Sequence, residues 1–308
     1  MAVEDRNLGF GSAMAQNGAG RLLERDGSFN ARRVGLPFAA SHSLYQTLLD
    51  ISWAGFLGLV IALYLIINLL FAVCYLLCGP DSLAGALPVE EGYFLRAFFF
   101  SVQTFSTIGY GHVSPVGLVP NILVTVEALS GLMVFTLITG LLFARFSRPR
   151  ARILFSEKAI IAPYRGGRAF EFRIANALTN QLIEVETKVI LSRIEREGER
   201  DVRRFHTLDL EISKVTFFSL CWTVVHPIVE GSPLWGTSEQ ELHASEAEFL
   251  ILLTGIDESF SQTVHARSSY AADEIVWNVK FTNIFLPRTA AAPIGVDVAR
   301  ISEIEAVS

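Results

Sequence analysis

The run Thr107-Ile108-Gly109-Tyr110-Gly111 offers its chemistry through the main chain rather than through a nucleophile or a base. If several chains surround one axis, the carbonyls of Thr107, Ile108, Gly109 and Tyr110, with the Thr107 hydroxyl, stack as inward rings of oxygen. Gly109 and Gly111 then have a mechanical reason to be glycine, because successive inward carbonyls require backbone angles that side chains disfavour. Such rings stand in for the water around a cation.

These residues must be positioned by apolar elements. Residues 97–144 are interrupted only by His112 and Glu127, too long a stretch for one span. The middle, Thr107 to Pro115, holds two glycines and a proline and will not be helical. A pore-length helix over 93–105, an irregular segment with its filter at 107–111 and a full inner helix over 118–146 fit the length. Irregular backbone at membrane depth is tolerated only where it is buried in protein or lines a water-filled cavity, so the segment re-enters the membrane beside a cavity. The pore-length helix aims its negative C-terminal end there, favouring cations.

Upstream, Ile51 to Pro80 carries no charge, with Trp53 and Tyr75 near its ends, and reads as an outer membrane helix over 51–78. Before it, Leu44, Tyr45, Leu48 and Leu49 recur at helical spacing opposite His42, Ser43, Gln46, Thr47 and Asp50. Residues 38–50 therefore read as an amphipathic helix in the membrane interface, or as a soluble extension of the next helix. Residues 1–37 are Gly-, Ala- and Arg-rich without a period and read as a mostly extended arm.

The 308 residues are 51% hydrophobic and 18% charged, with a mean hydropathy of +0.41. Only 5 of the 94 positions from Ile51 to Ala144 are charged, against 51 of the other 214, so one region suits lipid and the rest water. Disorder, a secreted disulfide scaffold and a compact soluble enzyme are excluded. Cys74 and Cys78 lie in an apolar run and Cys221 stands alone, and the net charge of −6 argues against a nucleic-acid partner. Arg32 and Arg33 precede the first span and Arg145, Arg148, Arg150 and Arg152 follow the last, while 81–92 carries only acids. Both termini are therefore expected in the cytoplasm of a multi-pass protein of the cell (inner) membrane. No cleavable leader is expected, since Glu4 and Asp5 stand where basic residues would be.

From Ala151 onward, within a second domain over 148–308, the pattern changes to period two. Phe170, Phe172 and Ile174 alternate with Glu171 and Arg173, and Ile183, Val185, Thr187, Val189 and Leu191 alternate with Glu184, Glu186 and Lys188. Further strand-like runs lie at 153–161, 220–225, 249–253 and 275–281, which together indicate an immunoglobulin-like β-sandwich. The fold class is thus two transmembrane helices with a re-entrant pore helix and filter, followed by a cytoplasmic β-sandwich. An enzyme finds no support: there is no metal-ligand cluster, phosphate loop or nucleophile elbow, and His206, His226, His243 and His265 lack zinc-like spacing.

Rings of carbonyl dipoles suit potassium and admit sodium poorly. The filter run resembles that of potassium channels, and residues from about 40 to 285 resemble the inward-rectifier family, most closely its bacterial branch. Beyond the filter the likeness rests on Ala144-Arg145-Phe146-Ser147-Arg148-Pro149, on Phe172-Arg173-Ile174-Ala175-Asn176, on His226-Pro227-Ile228 with Ser232-Pro233-Leu234, and on Ala266-Arg267-Ser268-Ser269-Tyr270 with Glu274-Ile275.

The resemblance implies a homotetramer, each chain having three identical partners and membrane lipid around it, with potassium ions in the filter and no covalently bound cofactor. It places a hydrophobic gate at Phe143, with Phe135 facing the axis as well, and makes Gly131 and Gly140 either hinges or points of close helix approach. It assigns Arg145, Arg148, Arg150 and Arg152 to an anionic phospholipid headgroup, although setting topology explains them equally. Phe135 stands where strong rectifiers carry an acid, so strong rectification is not expected. Gln103 and Val113 stand where animal members pair Glu with Arg, so the filter needs other support, and Glu127 is expected to face protein behind it or the cavity. Ser261 replaces a glycine of the cytoplasmic constriction, and His112 and His42 are candidate pH sensors or plain interfacial histidines. A non-conducting, membrane-anchored sensor using the β-sandwich is the alternative.

Overall fold

The computed structural model describes residues 20–30, 43–85, 92–147, 152–218, 220–287 and 295–307. They form two compact units, Val34–Arg148 and a second made of Met1–Arg33 with Pro149–Ser308. His42, Arg148 and Arg150 lie outside the described residues, as do 38–41 of the expected interfacial helix.

In the first unit, helix α1 runs over Leu44–Asp50 and α2 over Trp53–Leu77. Ile51 is extended between them, and the Ser52 hydroxyl caps α2 by accepting from Gly55 N at 3.1 Å, so the outer helix starts two residues later than its apolar run. Helix α3 spans Tyr93–Phe105 and α4 spans Leu118–Phe146. With 25 and 29 residues, α2 and α4 are long and apolar enough to cross a membrane. Ala72, Tyr75, Ala97, Phe100 and Val113 form the shared core, in which the Tyr75 and Phe100 rings meet edge-on at 5.2 Å.

Gly131 lies where α4 presses on the end of α3. A Cβ there would sit 2.3 Å from the Phe105 carbonyl oxygen, whereas one at Gly140 would meet nothing within 4 Å. Close approach therefore explains glycine at Gly131.

The second unit is a sandwich of two five-stranded sheets. One holds β6 (Leu182–Glu197), β7 (Arg200–Leu208), β8 (Lys214–Phe218), β10 (Glu248–Asp257) and β11 (Gln262–Ala271). The other holds β3 (Ile153–Phe155), β4 (Ala159–Tyr164), β5 (Gly167–Asn176), β9 (Cys221–Ile228) and β12 (Ile275–Trp277). Phe170, Phe172 and Ile174 of β5 point inward as the alternation predicts, and the Phe170 and Phe249 rings stack at 4.1 Å across the interlayer core. The run 153–161 is two strands rather than one, and Asn278, with φ 56°, ends β12 before Val279–Phe281 pairs with Ile304–Ala306.

On β6 the alternation slips. Leu182 is buried and Ile183 only half-buried, because Glu184 adopts φ 53° and bulges where Gly255 crosses over Val185. An extra residue in a strand exchanges the faces on either side of it.

Residues 20–30 are not a free arm but a strap across β7, β10 and β11. Leu22 and Leu23 bury their side chains against Phe205 and Leu250. Their backbone N–H groups donate to the two carboxylate oxygens of Glu248, itself 2% exposed, at 2.7 and 3.0 Å. Arg21 pairs with Glu274 at 3.0 Å, and Arg25 donates to the Ser156 carbonyl at 2.8 Å. Gly27 turns the strap with φ 82° where a Cβ would lie 2.6 Å from the Arg267 carbonyl oxygen.

His226 is sealed in the same unit. Its Nδ1 donates to the Asp209 carbonyl at 2.6 Å, which leaves Nε2 to accept from the Ser232 hydroxyl at 2.8 Å, and burial holds its pKa below the ordinary histidine value.

Two outcomes are expected. Gly131→Ala lowers the melting temperature of the detergent-solubilised protein, a loss of about 1–3 kcal/mol, while Gly140→Ala leaves it unchanged. Glu248→Ala removes the acceptor of two buried N–H groups, lowers stability by about 2 kcal/mol and makes residues 20–30 cleavable in limited proteolysis.

Candidate functional site

The residues expected to form the filter follow α3 directly, and their backbone alternates in hand. Thr107 and Gly109 have φ 57° and Gly111 has φ 80°, whereas Ile108 and Tyr110 keep negative φ. Neither glycine has an atom within 4 Å of a built Cβ, so dihedral freedom and not space is what they supply. A strand with ordinary angles points successive carbonyls in opposite directions, and a left-handed residue at every second position turns them to one side.

The N–H groups indicate which side that is. Thr107 N donates to the Thr104 carbonyl at 3.0 Å, and Ile108 N and Gly109 N both donate to the Gln103 carbonyl, at 2.8 and 3.3 Å. In a trans peptide the C=O opposes the next N–H, and no cis bond occurs among the described residues, so the Thr107 and Ile108 carbonyls point away from α3. Gln103, which stands where the resemblance implied the loss of an ion pair, thus reaches this segment through its main chain. All five residues from Thr107 to Gly111 are exposed on the single chain.

Behind the filter, Glu127 of α4 is fully buried, with both carboxylate oxygens occupied. The Tyr75 hydroxyl of α2 donates to one at 2.6 Å, and the Ser101 hydroxyl of α3 sits on the other. Ser101 Oγ also lies 3.1 Å from Asn68 Oδ1, and Asn68 Nδ2 donates to the Tyr64 carbonyl at 2.7 Å. One acid therefore ties three helices together in the apolar layer. Sequence reading found Glu127 but not Asn68 and Ser101, whose signal was hydrogen-bonding groups inside otherwise apolar helices. It set Tyr75 at the membrane interface, whereas the structure buries that ring in the core because its hydroxyl is taken up by Glu127.

Beyond the filter the chain is clamped. Leu83–Ala84 (β1) pairs with Ser114–Pro115 (β2), Val116 N donates to the Ser82 carbonyl at 2.8 Å, and Arg96 donates to the Leu83 and Gly85 carbonyls at 2.8 Å each. His112 is exposed in this clamp, its carbonyl against Gly85, and Val113 packs in the core.

Along α4, Phe135 and Phe143 are 72% and 73% exposed on the single chain. Eight positions apart, they stand about 80° from each other around the helix, so they share a broad face rather than a line. Arg145 departs from its expected headgroup role. It is 7% exposed, its guanidinium donates to the Leu48 carbonyl and, at 2.7 Å, to the Ile51 carbonyl, and it stacks 4.7 Å from the Trp53 and Phe56 ring centres. Its donors pin α1 to the end of α4. Arg152 is exposed, and Ser261 sits at φ 50°, the left-handed conformation that glycine adopts most easily.

Residues 59–148 match the family of sequences described as ion channels, and residues 153–308 match the inward rectifier potassium channel C-terminal domain. The inward rectifier potassium channel Kirbac3.1 of Paramagnetospirillum magnetotacticum is 45% identical over 269 residues, covering 86% of this chain and 89% of that protein. The G protein-activated inward rectifier potassium channel 3 of Homo sapiens is 28% identical over 292 residues, 87% of this chain and 74% of that one. The ATP-sensitive inward rectifier potassium channel 12 of Gallus gallus is 29% identical over 284 residues, 85% and 66% respectively. With two apolar helices flanking the filter segment and a β-sandwich after them, the chain belongs to the inward rectifier potassium channel family.

Proposed function

We propose that four copies of the chain surround one axis and conduct potassium passively through rings of oxygen from Thr107, Ile108, Gly109 and Tyr110, with Gly111 closing the filter. One observation carries this reading. The N–H groups of Thr107, Ile108 and Gly109 turn toward α3 and the carbonyls of Thr107 and Ile108 away from it, yet residues 107–111 remain exposed on the single chain. Irregular backbone between two spans has no stable place facing lipid, and a closed ring of copies supplies the water-filled cavity it needs.

The gate of this assembly is Phe143, with Phe135 above it lining the same face; four phenylalanine rings close a pore by excluding water. The β-sandwich acts on that gate from the cytoplasmic side, where both termini lie. Anionic phospholipid modulates it through Arg152 and the adjoining basic residues, with Arg145 reserved for holding α1. Glu127 serves as structural support behind the filter.

Purified protein in liposomes is expected to pass potassium far faster than sodium, with flux blocked by barium and lost in Gly109→Asp. Wild-type vesicles no leakier to potassium than empty ones would leave the sensor reading in place of the channel. Phe143→Ala is expected to raise basal potassium flux severalfold, and an unchanged basal flux removes the gate from Phe143.

A further inference from the structure

Thr107 is a β-branched residue in a left-handed conformation, which such side chains resist unless their surroundings impose it. Three neighbouring restraints act on it. Its own N–H and those of the next two residues are drawn back onto the last turn of α3. Gly131 lets α4 press on the Phe105 carbonyl. The third comes from the outer helix: the Tyr64 hydroxyl lies 2.7 Å from Ser106 Oγ, and the Tyr64 ring meets Phe105 edge-on at 5.8 Å.

Ser106 is the residue that ends α3 and immediately precedes Thr107. Tyr64 is itself placed by the buried polar network, since Asn68 donates to its carbonyl and shares Ser101 with Glu127. Hydrogen bonds therefore run from Glu127 through Ser101 and Asn68 to the main chain of Tyr64, and its ring carries the hydroxyl from there to Ser106 at the base of the 107–111 segment.

We propose that Tyr64 is a filter-positioning residue, whose hydroxyl on Ser106 holds Thr107 in its left-handed conformation and thereby sharpens discrimination of potassium from sodium. It touches no ion and acts through Ser106. A slack Ser106 lets Thr107 relax toward ordinary angles, which moves the lowest oxygens of the filter and loosens the ring that distinguishes the two ions. The inference rests on the conduction reading above.

The test is the sodium-to-potassium permeability ratio, taken from reversal potentials of the full chain in planar bilayers. Tyr64→Phe, which keeps the ring against Phe105, and Ser106→Ala are each expected to raise the ratio about fivefold, the equivalent of one ordinary hydrogen bond. The double variant is expected to be no worse than either single one, and Ser106→Thr, which keeps a hydroxyl, to preserve the wild-type ratio. Ratios within twofold of wild type in both single variants, or effects that add in the double variant, overturn the proposal while leaving a potassium-selective wild type intact. A wild type without potassium current overturns the conduction reading, and this inference with it.

Discussion

A peptide group in hydrocarbon must find its hydrogen-bond partners within the protein or face a cavity that holds water. Helices α2 and α4 meet the demand along their own axes. The nine residues from Thr107 to Pro115 cannot, and much of the first unit is devoted to them. Helix α3 receives the first three of their N–H groups, the β1–β2 pair and Arg96 brace the chain that follows, and Glu127 binds the three helices beside them. What remains open is the carbonyl side of Thr107 and Ile108.

The same unit uses glycine for two different physical ends. At Gly109 and Gly111 the surroundings are empty and the dihedral angle decides. At Gly131 the angle is ordinary and the Phe105 carbonyl decides. Sequence spacing alone leaves hinge and contact equivalent at Gly131, because both need a small residue in a long apolar helix.

Legibility in the sequence followed the range of the interactions. The apolar helices, the irregular segment between them and the alternating strand β5 are written locally, in composition and period, and were readable from Ile51–Pro80, Thr107–Gly111 and Phe170–Ile174. The bulge at Glu184 depends on Gly255 of a neighbouring strand, and the partners of Glu127 lie on two other helices, so neither leaves a local pattern. Arg145 looked like a lipid-facing cation because topology and packing both favour a basic residue at the end of a span. Leu22 and Leu23 were lost in a Gly- and Arg-rich stretch whose order comes from a carboxylate more than two hundred residues away.

That separation bears on synthesis. Residues 20–30 leave the ribosome well before Arg203, Glu248 and Ser269, which hold them and emerge only after both spans have been made. The strap therefore waits out membrane insertion unpartnered and docks after translation has passed β11. An exchange of β-sandwiches between relatives that cuts only after α4 would strand an ill-matched strap on a foreign sheet, so the unit of transplantation is discontinuous in the gene.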